Sequence, residues 1–126
     1  MVQSVQLFEL ATQQSRWLAA RQAAVAGNIA NVNTPGYRSV DVAPFKQVLE
    51  NATAQLSTTA TSHIPLGGGG HAYGLHAVES SSVLPSENSV QLEQELMKSG
   101  EVRRAFELNT AIVKAFHRMM MSTVRA

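Results

Sequence analysis

The sequence of 126 residues contains no cysteine, few aromatic residues and no long hydrophobic run. Without cysteine, neither disulfide bonds nor thiolate chemistry can contribute to the protein. No stretch approaches the roughly 18 consecutive apolar residues of a membrane-spanning helix. The net charge of +1 leaves no basic footprint for nucleic acid. Because aromatic residues make up only 6% of the chain, we expect partners to supply part of its core.

The sequence also has little that could form a catalytic or ligand-binding site. Gly67–Gly70 precedes His71 and not the Lys-Ser/Thr pair of a phosphate-binding loop. His71 and His76 have no neighbouring cysteine or acidic ligand, so a zinc site there has little support. Ser80–Ser82 has no nearby base that could activate a hydroxyl. We therefore predict no enzymatic activity, no metal, no cofactor and no small-molecule substrate.

The first segment, from about residue 2 to residue 33, has apolar residues at helical spacing. They recur at intervals of 4, 7, 7, 4 and 3, at Leu7, Ala11, Leu18, Val25, Ile29 and Val32. Such intervals are typical of a helix that packs as in a coiled coil. The segment therefore predicts one long helix.

The middle segment, residues 38–86, is predicted to be extended and flexible. Val40–Val42 alternates apolar and polar side chains, which favours a short strand. Phe45–Leu49 predicts one or two helical turns. Residues 51–86 are almost uncharged and rich in Ser, Thr, Ala and Gly. We expect them to be disordered in an isolated subunit, because they cannot bury enough apolar surface to offset their ordering entropy.

The third segment, residues 87–126, predicts a second long helix with a wide apolar face. Ser86 follows Pro85 and is expected to cap the helix, with Glu87 in its first turn. Two adjacent apolar stripes follow at spacings of 3 and 4. The side chains of this helix that we expect to pack are Leu92, Leu96, Phe106, Ile112, Val113, Phe116 and Met120.

The whole chain is thus predicted to be mainly α-helical. Its N- and C-terminal helices should pair as a coiled-coil-like hairpin, with Leu7, Leu18 and Val25 of the first helix in the contact. The segments 1–37, 38–86 and 87–126 would together form one domain. A single helix pair cannot cover two apolar stripes, so the hairpin either dimerises or packs between other pairs in the wall of a tube.

The most specific feature is the decapeptide at residues 28–37, whose defining residues are Asn28, Ile29, Ala30, Asn31, Thr34, Pro35, Gly36 and Tyr37. The amides of Asn28 and Asn31 can bond to carbonyls left without partners in the last helical turn, or to a neighbouring subunit. Pro35 disfavours the α region at the residue before it, so the helix should end there. Pro-Gly suits the centre of a type II turn, because glycine accepts a positive φ.

This decapeptide resembles the N-terminal signature of flagellar axial proteins, the rod, hook and hook-associated family. Their first helix ends in Asn-x-x-Asn-x-x-Thr-Pro-Gly-Tyr or Phe, and the sequence fits that pattern without a departure. The resemblance implies a structural subunit that transmits torque, with its terminal helices paired in the inner wall of a helical tube. Residues 28–31 and 34–37 would then be an assembly motif. The implied partners are other copies, other rod subunits, the MS-ring with its adaptor protein, and the flagellar export gate.

The length of the chain narrows the resemblance. Hook and distal-rod proteins carry a large β-rich insertion between their terminal helices, and 126 residues leave no room for one. The chain is therefore similar to the short proximal rod proteins. Glu87–Lys98 resembles one of the two proximal types. Ser82–Pro85 lacks the Gly-Tyr-Val approach that is usual in the other type, which stays an alternative.

The resemblance also implies export through the flagellar type III apparatus to a periplasmic rod. Met1–Glu9 lacks the basic and apolar parts of a cleavable secretory signal, so we expect none to be removed. Phe45 and Leu49 fit the short Phe-plus-hydrophobe pattern by which early subunits meet the export gate. They are candidate gate contacts, and a buried turn explains them equally well.

Two other functions remain open from the residues alone. The wide face of the last helix would also suit a small helical adaptor that binds a partner helix. An enzyme that uses His71 and His76 is the third alternative.

Overall fold

A computed structural model describes residues 2–55, 73–79 and 83–125, and this part of the chain is mainly α-helical. The elements in chain order are α1 (Val2–Ala30), β1 (Val40–Val42), α2 (Phe45–Gln55), β2 (Leu75–Ala77) and α3 (Leu92–Val124). The prediction of two long terminal helices is confirmed. None of the helices in these ranges combines the length and the apolar character that crossing a membrane requires.

Helices α1 and α3 lie antiparallel and form a hairpin. Asn28, near the end of α1, bonds to Glu95 near the start of α3. At the opposite end, the rings of Phe8 and Phe116 meet edge to face with centroids 5.7 Å apart. The paired helices predicted from the sequence are therefore present.

The seam between the two helices is narrow and contains small side chains. Leu18 and Val25 of α1 and Val102 of α3 are buried, with at most 2% of their surface exposed. Ala11 lies in the same seam, where its carbonyl accepts a hydrogen bond from Asn109. Since few bulky residues take part, the hairpin buries little apolar surface by itself.

A two-stranded antiparallel sheet covers one side of α1 near its end. Strand β1 pairs with β2 in the register Val40↔Ala77, Asp41↔His76 and Val42↔Leu75. Val42 is buried, and β1 packs on α1. The short strand predicted at β1 is confirmed.

The expectation of disorder across residues 51–86 is wrong for part of that range. Residues 51–55 continue α2, and β2 pairs with β1 within the described residues 73–79. The free edge of β1 supplies backbone partners, which composition alone did not reveal. Residues 56–72 and 80–82 lie outside the described residues.

The start of α3 also differs from the prediction. The helix begins at Leu92, after Gln91 in an extended conformation, so Ser86 does not cap it. Glu87 lies in the left-handed region with a φ of 61°, which is incompatible with a first helical turn. The backbone from residue 83 to residue 91 instead contacts the segment that follows α1.

The buried seam can be tested with Leu18→Ala. This change is expected to lower the free energy of unfolding by about 2–5 kcal/mol, because it leaves a cavity between the helices. Leu108→Ala is the matched control, since Leu108 is 62% exposed on α3. The control should stay within about 0.5 kcal/mol of the wild type. Urea unfolding followed by circular dichroism measures both, and equal effects would contradict this seam.

Candidate assembly site

The decapeptide that ends α1 forms a capped helix end followed by a tight turn. The amide of Asn31 donates to the carbonyl of Gly27 at 2.8 Å, which satisfies a carbonyl of the last turn. The amide N–H of Tyr37 donates to the carbonyl of Thr34 at 3.3 Å, and Gly36 between them has a φ of 74°. This is the type II turn that the Pro-Gly pair predicts.

Asn28 joins three elements and is fully buried. Its Oδ1 accepts the backbone N–H of Val40 at 3.0 Å, and its Nδ2 donates to the carbonyl of Val40 at 2.8 Å. The same Nδ2 donates to Glu95 Oε2 at 3.1 Å. The side chain thus pairs with β1 as a neighbouring strand would. The sequence suggested that the Asn28 amide would bond to a carbonyl at the helix end or to another subunit. Both predictions are wrong, because the amide is bonded to Val40 of β1 and to Glu95.

Asn88 holds the turn from the other side and was missed by the sequence analysis. Its Nδ2 lies within 3.0 Å of the carbonyls of Asn31, Val32 and Thr34. Its Oδ1 accepts the backbone N–H of Val90 at 2.8 Å. An asparagine between Glu87 and Ser89 reads as part of a helix start, so the sequence carried no signal for this contact.

The backbone of the turn is also paired with the segment that precedes α3. The N–H of Gly36 donates to the carbonyl of Ser86 at 2.9 Å, and the N–H of Ser89 donates to the carbonyl of Tyr37 at 3.0 Å. The N–H of Ser39 donates to Ser89 Oγ at 2.8 Å. The end of α1 and the approach to α3 therefore form one hydrogen-bonded unit.

Glu95 is the buried charge at the centre of this unit, with 1% of its surface exposed. It accepts hydrogen bonds from Asn28, from the hydroxyl of Ser39 at 3.2 Å and from the ammonium of Lys98 at 3.2 Å. A buried carboxylate is tolerated only when such partners satisfy it. Sequence reasoning missed Glu95 because a glutamate in an early helical turn is usually exposed.

A short chain of ion pairs extends from Glu95 towards the surface. Lys98 also lies 3.7 Å from Asp41, which in turn lies 3.4 Å from Arg21. Arg21 reaches Glu101 at 3.6 Å and lies 5.7 Å from the ring of Trp17. Among the described residues, no buried side-chain nitrogen or oxygen lacks a hydrogen-bond partner.

The seam of α3 passes through Glu95, Val102 and Asn109, which are spaced seven residues apart and are all buried. Asn109 donates from Nδ2 to the carbonyl of Ala11 at 3.0 Å and to the hydroxyl of Ser15 at 2.7 Å. Two polar residues therefore occupy positions in the helix contact where an apolar pattern alone would not place them.

The predicted packing residues divide into three groups by burial. Leu18 and Val25 are buried, and five are half-buried, namely Leu7, Phe106, Val113, Phe116 and Met120. Leu92, Leu96 and Ile112 are 40%, 57% and 47% exposed. These three do not pack within the chain, because the seam through Glu95 and Asn109 turns them outwards. Packing against another subunit stays a prediction for them.

The two candidate gate contacts lie on α2 and are half-buried. The ring centroid of Phe45 lies 5.7 Å from that of Trp17, whose Nε1 donates to the carbonyl of Ala43 at 2.7 Å. Phe45 therefore anchors α2 on α1 in the folded chain, and Leu49 follows it by one turn.

The two histidines considered for zinc are not brought together by any described contact. His71 lies outside the described residues, and His76 is exposed on β2. Within the described ranges, no group of three or more His, Asp or Glu side chains is placed to hold a metal ion.

Comparisons with known proteins agree with the decapeptide and its surroundings. The family model described as "Flagella basal body rod protein" matches residues 17–38, which cover the second half of α1 and the turn. The flagellar basal body rod protein FlgB of Agrobacterium fabrum is 42% identical over 130 residues. That similarity covers 98% of this chain and 96% of the relative.

At this identity and coverage, the chain belongs to the flagellar basal body rod proteins, and it is a structural subunit of that rod. Within the family it is similar over almost its whole length to FlgB, a proximal rod protein. FlgB is also the proximal type that Glu87–Lys98 resembles, and FlgC is the sister type. The family membership replaces the adaptor hypothesis.

The contact of Asn88 with the turn is expected to be essential for the fold of this site. Asn88→Ala removes the amide that bonds to the carbonyl of Val32 and shares those of Asn31 and Thr34 with backbone N–H groups, and it should lower the free energy of unfolding by about 1–3 kcal/mol. Asn33→Ala is the matched control, because Asn33 is exposed in the same turn region. The control should stay within about 0.5 kcal/mol of the wild type. Thermal or urea unfolding of the two variants measures their stability. An Asn88→Ala variant as stable as the wild type would contradict the role of Asn88 in holding the turn.

Two glycine substitutions should have opposite effects on stability. Gly36→Ala places a side chain at a φ of 74° and should destabilise the chain by about 1 kcal/mol. Gly100→Ala lies inside α3 with nothing within 4 Å of the added Cβ. It should stabilise the chain by about 1 kcal/mol, because alanine favours the helix. Paired unfolding curves test the signs, and a stabilising Gly36→Ala would contradict the turn.

Proposed function

We propose that the chain is a proximal rod subunit of the FlgB type, which assembles through α1 and α3 into a helical tube and transmits torque. Its role is mechanical, with no catalytic step, no cofactor, no nucleic acid and no small-molecule substrate. The family membership and the similarity to FlgB support this position in the rod. The structural observation that carries the proposal is a line of exposed apolar side chains on α3.

This line lies beside the seam and is not covered within the chain. Met97, Leu108, Ile112 and Met119 are 67%, 62%, 47% and 59% exposed. Their intervals of 11, 4 and 7 residues keep them on one side of the helix. Leu108, Ile112 and Met119 form the apolar part of this side, while Glu101 and Arg104 lie between Met97 and Leu108. Exposed apolar side chains that cluster in this way mark a protein interface. In the tube, helices of neighbouring subunits would cover it.

The buried polar unit suits a subunit that transmits force. It fixes how α1 ends and where α3 begins, since Asn28, Asn88 and Glu95 bond to both sides of the hairpin. A load applied to one helix is then passed to the other through the buried hydrogen bonds. The assembly motif would act through this geometry, which presents α1 and α3 to the neighbours in a defined orientation.

The proposed partners are other copies, other rod subunits, the MS-ring and its adaptor protein. We place the subunit in the periplasmic part of the basal body, after export through the flagellar type III apparatus without a cleaved signal. In an unfolded chain during export, Phe45 and Leu49 are free of their contacts on α1 and could meet the export gate. In the folded subunit they hold α2.

The proposal is tested with Ile112→Asp on the exposed line. The change should lower monomer stability by only about 1–2 kcal/mol, because Ile112 is already 47% exposed in the monomer. It should abolish rod formation, since a buried carboxylate would cost several kcal/mol in each copy. Urea unfolding measures monomer stability, and basal-body imaging measures rod formation. The amount of secreted subunit measures export, which should be unchanged.

Ile112→Val is the matched control, because it keeps an apolar side chain at the same position. It should preserve both motility and basal bodies. Rods that assemble normally with Ile112→Asp would overturn the proposed role of this face, and so would a deletion strain that still builds a complete rod.

A further inference from the structure

The last third of α3 carries only positive charge. No acidic residue follows Glu107, whereas Lys114, Arg118 and Arg125 do. All three cations are exposed, and none has an ion-pair partner in the described part of the chain. Lys114 and Arg118 line a shallow groove of about 540 Å³ together with Val113, His117 and Met121. This basic end combines charge with exposed apolar surface.

The start of α3 has the opposite character. Glu93 is exposed in the first turn and has no ion-pair partner in the described ranges, and Glu87 is exposed just before the helix. Leu92 and Leu96 lie beside Glu93 and are 40% and 57% exposed. This acidic end therefore also offers apolar side chains next to unpaired charge.

The two ends lie on the same side of the helix. At 100° per residue, Glu93, Leu96, Lys114 and Arg118 fall within about 60° of one another. Between them, Arg103 and Glu107 on the same helix form an ion pair at 3.3 Å and neutralise each other. Glu93 and Lys114 are separated by about 32 Å along the axis at 1.5 Å per residue. They cannot meet within one chain.

We infer that the acidic end of α3 in one copy docks on the basic end of α3 in a second copy, with the two helices parallel and displaced by about 32 Å. Leu96 would enter the groove beside Met121, while Glu93 faces Lys114 and Arg118. The argument for a second copy is charge complementarity between two surfaces that this chain itself carries. The inference rests on the proposed function and names the surfaces through which copies meet.

Such a contact joins two different surfaces, so it is heterologous. A bound pair of copies still has one free acidic end and one free basic end. Further copies can therefore add along the axis, unless the rotation between copies closes a ring. A fully overlapped antiparallel pair would also set Glu93 opposite Lys114, but it is isologous and stops at a dimer, whereas the parallel, displaced contact gives larger assemblies. Sedimentation velocity separates the two arrangements by the size of the species formed, and a wild-type chain that stops at a dimer would overturn the parallel contact.

Zero-length carbodiimide cross-linking of the full wild-type chain tests the contact directly. It joins a carboxylate to an amine only where they touch, and mass spectrometry identifies the linked residues. We expect links from Lys114 to Glu93 or Glu87, formed between copies and lost at high salt, where surface charges are screened. The link between Lys46 and Glu50, which form an exposed ion pair at 3.9 Å within one chain, is the internal positive control.

An exchange of the charges at the two ends of α3 tests whether a second copy binds the basic end. Lys114→Glu with Arg118→Glu should weaken self-association about tenfold or more in sedimentation velocity, and Glu87→Lys with Glu93→Lys should do the same. A chain that carries all four changes again has opposite ends and should recover association. Circular dichroism confirms that each variant is folded, as expected for exposed residues.

Several results would overturn the inference. They are a wild-type chain that gives the Lys46 link but no link from Lys114, a charge reversal at either end without effect, or four changes that do not restore association. The last result would show that the two ends of α3 do not bind each other through their charges. A deletion strain that still builds a rod would instead contradict the proposed function and leave the cross-link unaffected.

Discussion

The structure depends on satisfying one buried carboxylate. Glu95 of α3 is buried against α1 and the start of β1, where water cannot solvate its carboxylate. Hydrogen bonds from Asn28, Ser39 and Lys98 therefore have to satisfy it. Each of these donors comes from a different place in the chain. Removing one donor would leave a buried charge in part unpaired, which is more costly than losing an ordinary surface contact. The closed end of the hairpin is the end where α1 stops and α3 starts. At that end, polar contacts more than an apolar core set the position of the two helices.

This arrangement explains how a hairpin with few bulky core residues can still have a defined shape. The closed end is held by Asn28, Asn88 and Glu95, while the rest of the seam contains small residues and the Asn109 contact. Apolar side chains that would make a larger core in an independent domain are instead exposed along α3. In the proposed assembly, neighbouring subunits would cover this apolar surface.

The fold could be predicted from sequence to the extent that it follows local rules. Leu18 and Val25 recur at helical spacing, and Pro35-Gly36 favours one type of turn, so α1, its end and the short β1 strand could be inferred. The beginning of α3 could not, because Asn88 and Glu87 read locally as a helix start. Their true conformation depends on carbonyls of residues 31, 32 and 34, which lie more than fifty positions away.

By itself, the sequence determined the two long helices, the turn and the membership of a flagellar family, since all of these are encoded by spacing or by contiguous residues. The tertiary structure alone decided which side of α3 faces α1. Periodicity allowed two stripes, one with Leu92 and Leu96 and an adjacent one with Val102 and Asn109. The seam chosen in the structure passes through Glu95 and Asn109, because the desolvation of polar groups is offset only where partners such as Asn28 and Ser15 meet them.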